Sequence, residues 1–270
     1  MPLLWLRLAV VFYGLGLVYS LLLLSKRGDI MARIAGPAVG LGMTFQFVSL
    51  VEFAVLEGKI TASVHHSESL LAFVIMVVFM IFFLRYRTTS PGIFVFPVVF
   101  FLTFASAIGQ RPFALNTPLL RNSWIIVHII LIFTGYAGLF LSFGASLLYL
   151  VQEKNLKSKQ PSGIAGRLPA LQTIDEIGYR ALLLGFPFMT FGLIAGSVIA
   201  ENKYGSMFFA DPKVLLSIIM WLVYMLLLYT RWSSGWRGRK AAYLAAFAFI
   251  AAVGAWAANY FSHLHRFNIS

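Results

Sequence analysis

Eight long apolar stretches fill this 270-residue chain, and most approach the length that crosses a lipid bilayer. A helix needs roughly 20 apolar residues to span the hydrocarbon core, where no water can satisfy an open backbone. The runs near 3–24, 36–57, 66–84, 93–110, 123–151, 179–200, 213–230 and 240–262 therefore predict eight transmembrane helices. Composition agrees. The chain is 60% hydrophobic and only 11% charged, with a mean hydropathy of +0.86. Soluble domains run near ~45–50% apolar and ~25% charged. The fold class that fits is an all-α, polytopic integral membrane bundle, read as one transmembrane domain over 1–270.

The basic residues orient the bundle. Net charge is +12, but Lys and Arg sit in short loops rather than in a nucleic-acid footprint. Lys26, Arg27, Arg33, Arg85, Arg87, Lys154, Lys157, Lys159, Arg167, Arg180, Arg231, Arg237, Arg239 and Lys240 follow the odd-numbered spans. Arg7, Lys59, Arg111, Arg121, Lys203, Lys213 and Arg266 fall on the other side. That two-to-one bias predicts both termini outside the cytoplasm. The N-terminal run lacks a basic n-region and an A-x-A site, so it reads as a span rather than a cleaved signal. The segment 152–178 is the longest loop. It is Lys-rich at first and amphipathic from Leu168 to Ile177, which predicts a short interfacial helix. Cysteine is absent, which excludes thiol–disulfide chemistry, iron–sulfur ligation and thiolate-bound metals in this chain.

With that topology all five histidines gather at one face. His65 and His66 precede the third span, His128 lies in the first turns of the fifth, and His263 and His265 close the eighth. Imidazole is the common metal ligand, and haem iron takes axial histidines. His128 and one of His263 and His265 could supply two such ligands from different helices. Bland readings exist for most of them. His65 and His66, among Ser63, Ser67 and Glu68, suit a solvated loop or a helix cap, and His263 suits solvent near a chain end. His128 differs, because it sits within WIIVHIILIF, about one turn past Trp124. A polar side chain at such a depth is a functional candidate by default.

Arg111, Arg121, Lys203, Lys213 and Arg266 are cations available on that face for anionic propionates, or for ordinary interfacial anchoring. Phe208, Phe209, Trp256 and Tyr260 could line a macrocycle or belong to an aromatic belt. Glu52 and Gln46 are polar residues within the second span that need partners. Asp211-Pro212 reads as an N-cap followed by proline at the first helical position, with Lys213 at the membrane surface. Pairs of glycines four apart, Gly36 with Gly40 and Gly192 with Gly196, and an alanine stripe from Ala241 to Ala258 read as close helix packing. No Ser/His/Asp set, paired carboxylates or phosphate loop occurs, so no catalytic role is expected.

The second half resembles the cytochrome c assembly family. The resemblance rests on Ile174-Asp175-Glu176-Ile177-Gly178-Tyr179-Arg180, then Gly185-Phe186-Pro187-Phe188-Met189-Thr190-Phe191-Gly192 and Gly196. It continues through Tyr204-Gly205, Asp211-Pro212-Lys213, Trp221, Tyr224, Arg231 and Gly235-Trp236-Arg237-Gly238, covering roughly 120–267. The resemblance implies an integral membrane protein that handles haem, with two outer histidines flanking a tryptophan-rich loop as axial ligands. His128 matches the first and His265 the second. It leaves His65, His66, His263, Tyr204, Phe208, Phe209 and Trp124 as further candidates for the haem site, and Arg111, Arg121, Lys203 and Arg266 as propionate partners. His65 and His66 precede Glu68-Ser69-Leu70, similar to the start of the family's early histidine-bearing span.

The loop at 201–213 departs from the family form W-G-x-x-W-x-W-D-P-K-E. Tyr204, Phe208 and Ala210 stand at the tryptophan positions, and Val214 at the closing Glu. In this the chain resembles the eight-span HemX branch. Two functions follow from the resemblance. One is binding of haem, of the b type, for delivery to an apocytochrome c, alone or with a second maturation subunit. The other is control of tetrapyrrole synthesis through glutamyl-tRNA reductase. Either implies a multi-pass protein of the bacterial cytoplasmic (inner) membrane, in contact with lipid and not with nucleic acid.

Overall fold

The computed structural model describes residues 2–23, 28–57, 64–108, 123–157, 168–204 and 212–257. Among them are eight helices and no strand. They are α1 (Pro2–Leu23), α2 (Gly28–Glu57), α3 (Val64–Tyr86), α4 (Gly92–Ile108), α5 (Ser123–Lys157), α6 (Leu171–Tyr204), α7 (Pro212–Ser233) and α8 (Arg239–Ala257). Six of these are long and apolar enough to cross a membrane: α1, α2, α3, α5, α6 and α7. The fourth helix is apolar but has 17 residues. The eighth has 19 and opens on Arg239 and Lys240. The helical, membrane-spanning character read from composition therefore holds, with six spans assigned by length and apolarity.

Three boundaries differ from the sequence reading. The second helix already begins at Gly28, ahead of the span expected from 36. The fifth helix runs on to Lys157, held at its end by an ion pair between Lys157 and Glu153 at 2.7 Å. The expected interfacial helix over 168–177 is no separate element. It forms the first turns of a continuous 34-residue α6. Gly178 does not break that helix, because it is a packing position: a Cβ there would lie 3.4 Å from the Cβ of Ala145. Nor do Pro97 and Pro187 interrupt α4 and α6.

The chain divides into two compact units, Met1–Ile126 with Gln152–Pro169, and Val127–Val151 with Ala170–Ser270. In the first unit, α1 to α4 close around a polar centre. The Tyr13 hydroxyl donates to Gln46 Oε1 at 2.8 Å. Gln46 Nε2 donates to the Ser69 carbonyl at 3.0 Å and lies 3.4 Å from Thr103 Oγ1. All four side chains are buried, so one glutamine ties together four helices. In an apolar surrounding its amide would be costly without these partners. Around it pack Phe79 against Phe96, edge to face at 5.4 Å, and Tyr13 against Gly42, where a Cβ would meet the ring at 2.9 Å.

The second unit has an apolar centre of Leu139, Leu182, Met189, Met220, Tyr224 and Leu227, with Ala245, Ala248 and Ala252 from α8. Within the described residues the alanine stripe thus packs inward at Ala241, Ala242, Ala245, Ala248 and Ala252. At one end, Arg231 at the close of α7 donates to Asp175 Oδ2 at 2.7 Å and lies over the Tyr179 ring at 4.8 Å. The amide of Gly238 donates to the other carboxylate oxygen at 3.4 Å. Gly238 has a φ of +68° and abuts the Tyr149 hydroxyl, so both conformation and space call for glycine. The amphipathic character of 168–177 comes partly from Asp175, which turns to this contact.

Candidate functional site

The fifth and sixth helices meet along glycines. A Cβ on Gly138 would come within 2.7 Å of the Ala181 carbonyl oxygen and 2.9 Å of Gly185 Cα. One on Gly192 would lie 3.1 Å from the Ile132 backbone nitrogen. Without side chains at these positions the two backbones approach closely, which in lipid is a principal source of helix association. Near the start of α5 this seam receives His128. Its ring lies against Gly196, where a Cβ would fall 2.7 Å from Cε1 and 3.0 Å from Nδ1. Its Nδ1 is 2.7 Å from the carbonyl oxygen of Gly192.

That one distance assigns the tautomer. A carbonyl oxygen only accepts, so the proton is on Nδ1, and in the neutral ring the lone pair lies on Nε2. The Gly192 carbonyl is part of α6 and cannot swing away, so the orientation of the ring is fixed. Metal-binding histidines characteristically donate their second ring N–H to a carbonyl or carboxylate in this way, which orients the ring and raises its basicity. The half-buried His128 is thus built as an imidazole ligand would be. Sequence reasoning found the histidine but took Gly192 and Gly196 for packing alone. The missed signal was a glycine pair four apart and a histidine on two neighbouring spans, each near one end of its helix.

The other candidates are placed as follows. His65 and His66 both lie in the first turn of α3, where the alternative of a solvated loop does not apply. The half-buried His66 ring sits 4.2 Å from that of Phe53, tilted by 49°. Trp124, in the first turn of α5, is 66% exposed, as for an aromatic at a lipid or interfacial surface. Lys203 and Tyr204 end α6, and Pro212 and Lys213 begin α7. The side chains of these four and of His65 are outside the described residues, as are Arg111, Arg121, Phe208, Phe209, Asp211, His263, His265 and Arg266. Among the described residues no three His, Asp or Glu side chains gather as a bare metal ion would require.

Further down the seam, Trp221 donates its indole N–H to Thr190 Oγ1 at 3.0 Å and stacks on Phe186 at 5.7 Å. The buried Tyr224 hydroxyl lies against Gly185. Phe186, Trp221 and Tyr224 thus pack as one aromatic group, while Phe188 and Phe191 face outward from α6.

The cytochrome C assembly protein family matches residues 40–262. The cytochrome c biogenesis protein CcsA of Heterosigma akashiwo is 30% identical over 219 residues, covering 67% of this chain and 68% of that protein. The protein of that name from Guillardia theta is 30% identical over 204 residues, 68% of each chain. The one from Prochlorococcus marinus strain MIT 9312 is 32% identical over 155 residues, half of each. With its family match extending over most of the sequence, from the second helix to the end of the last, the chain belongs to the cytochrome c assembly protein family.

Proposed function

We propose that this chain is a non-catalytic haem carrier for cytochrome c maturation. It holds haem b at the extracytoplasmic end of α5, with His128 as one axial ligand and His265 as the other. The observation that carries this reading is the 2.7 Å contact between His128 Nδ1 and the Gly192 carbonyl, which orients the ring in the way metal-binding histidines are oriented. Bound haem supplies an iron whose equatorial positions are filled, so one or two protein imidazoles complete it. A single oriented histidine therefore suits it where a bare ion would need a cluster. Gly196 provides the flat surface that keeps the ring upright, and Gly192 holds its proton. Arg111, Arg121, Lys203 and Arg266 are the cations assigned to the propionates. The setting is eight spans in a bacterial cytoplasmic membrane with both termini outside, and the recipient is an apocytochrome c or a second maturation subunit.

The test is an absorption spectrum of the purified protein before and after addition of haem. A bis-histidine spectrum is expected for the native chain. It should be lost in His128→Ala and His265→Ala and restored by added imidazole. A protein that stays colourless with haem present, or variants with unchanged spectra, would overturn the reading.

The thinned aromatic loop, with Tyr204, Phe208 and Ala210 at tryptophan positions, supports a second reading as a HemX-type regulator acting on glutamyl-tRNA reductase. The CcsA name of the relatives favours the carrier. Co-purification of the reductase, lost when 158–167 is replaced by a neutral linker, would favour the regulator.

A further inference from the structure

A single charged residue, Arg7, interrupts the apolar sequence of α1. Arg7 lies five residues into α1, about 7–8 Å along the axis from its start. Its side chain is exposed, and the ion pairs formed by the described residues all join other groups. A guanidinium is never neutral, so on a membrane-facing helix it must reach an anion or water. Beside it runs a groove between α1 and α4 of about 260 Å³, lined by Arg7, Val10, Phe104, Ala107 and Ile108. Ala107 is the buried floor, while Phe104 and Ile108 are 42% and 60% exposed, so the groove opens outward along its length. It is smaller than the ~300 Å³ at which enclosed small-molecule pockets begin. An open apolar channel with one fork-shaped cation at its mouth, near a helix end, has the form of a lipid rather than of a compact solute.

We propose that this groove binds an anionic phospholipid, with its phosphate on Arg7 and one acyl chain lying between α1 and α4. The guanidinium fork matches two phosphate oxygens. The preference for a net negative headgroup follows from charge: the ammonium of a zwitterionic lipid would lie close to Arg7 and oppose it.

The test is native mass spectrometry of the delipidated full-length protein, titrated with phosphatidylglycerol or with phosphatidylcholine of the same acyl chains. The native chain is expected to retain one phosphatidylglycerol in preference to phosphatidylcholine. Arg7→Gln should weaken retention about fivefold, the effect of roughly one interfacial cation. Ala107→Trp, which fills the floor, should abolish it; Val10→Trp fills the same groove from α1 should the first variant not fold. Arg239→Gln, an exposed cation elsewhere, should bind as the native chain does. Equal retention by Arg7→Gln, equal affinity for the two lipids, or undiminished binding in a folded groove-filled variant would overturn the proposal. So would a native dimer that Arg7→Gln dissociates, since the groove would then seat a second copy.

Discussion

Seating an imidazole flat against a helix takes a glycine, because any Cβ would stand where the ring lies. Gly196 meets this need for His128, and its replacement is the sharpest local test of the site. In Gly196→Val the new side chain would overlap Cε1 and Nδ1 and push the ring off the Gly192 carbonyl. Overpacking of this kind costs ~1–3 kcal/mol. Loss of an orienting hydrogen bond lowers metal affinity by about 10–100-fold. Two readouts separate these effects. The melting temperature reports the first. Nitrogen-15 shifts of labelled histidine report the second, since they distinguish Nδ1-protonated from Nε2-protonated rings without haem. The native ring should be Nδ1-protonated, and the variant should lose that signature. A native ring protonated on Nε2 would remove the basis of the site. His128 was legible in the sequence because a polar residue inside an apolar run has few reasons to be there. Its partner was not, since Gly192 is 64 residues away and contributes only a backbone oxygen, which no side-chain pattern records.

At the scale of the element, two glycine pairs that look alike in sequence have different fates. Gly138, Gly192 and Gly196 lie in the seam between α5 and α6, whereas Cβ atoms added at Gly36 and Gly40 would meet nothing within 4 Å among the described residues. Gly138→Ala should therefore lower the melting temperature, by the several degrees that accompany ~1–3 kcal/mol of overpacking. Gly40→Ala should leave it unchanged or raise it, since alanine favours helix by up to ~1 kcal/mol over glycine. Equal effects of the two substitutions would mean that α5 and α6 are not in close contact. The same contrast governs the polar residues. Gln46→Leu strands the Tyr13 hydroxyl and removes the amide that joins Ser69 and Thr103, and should cost ~1–3 kcal/mol, where Tyr13→Phe, which strands only Gln46 Oε1 and leaves Nε2 its partners, should cost less. The sequence showed that Gln46 needed partners, but which three helices would supply them depended on packing. The start of α6 was misjudged for a related reason. Polar residues over 168–177 suggested a helix at the water interface, yet Asp175 is polar in order to bind Arg231 and the Gly238 amide.

For the whole molecule, the question left by helix length is how α4 and α8 relate to the bilayer. At 17 residues α4 is about 25 Å long, against a hydrocarbon thickness of roughly 30 Å. Local thinning or the polar ends of neighbouring helices can absorb that mismatch at modest cost. The eighth helix is alanine-rich, which lowers its hydropathy without adding polar groups to its middle. We propose that both cross, and the distribution of lysine and arginine then predicts which side each loop faces. The absence of cysteine makes this directly measurable, because each introduced thiol is the only one in the chain. Thr88→Cys, Ser158→Cys and Ser234→Cys should resist a membrane-impermeant maleimide in intact cells and react only after lysis. Gln110→Cys, Ser206→Cys and Asn268→Cys should react at once. If Gln110→Cys behaved like Thr88→Cys, α4 would enter and leave on one side, and every later loop would change face. His128 and the end of α8 would then open toward the cytoplasm, where a haem handed to an extracytoplasmic apocytochrome could not be loaded. The labelling pattern at positions 88 and 110 therefore decides the direction of transfer as well as the number of spans.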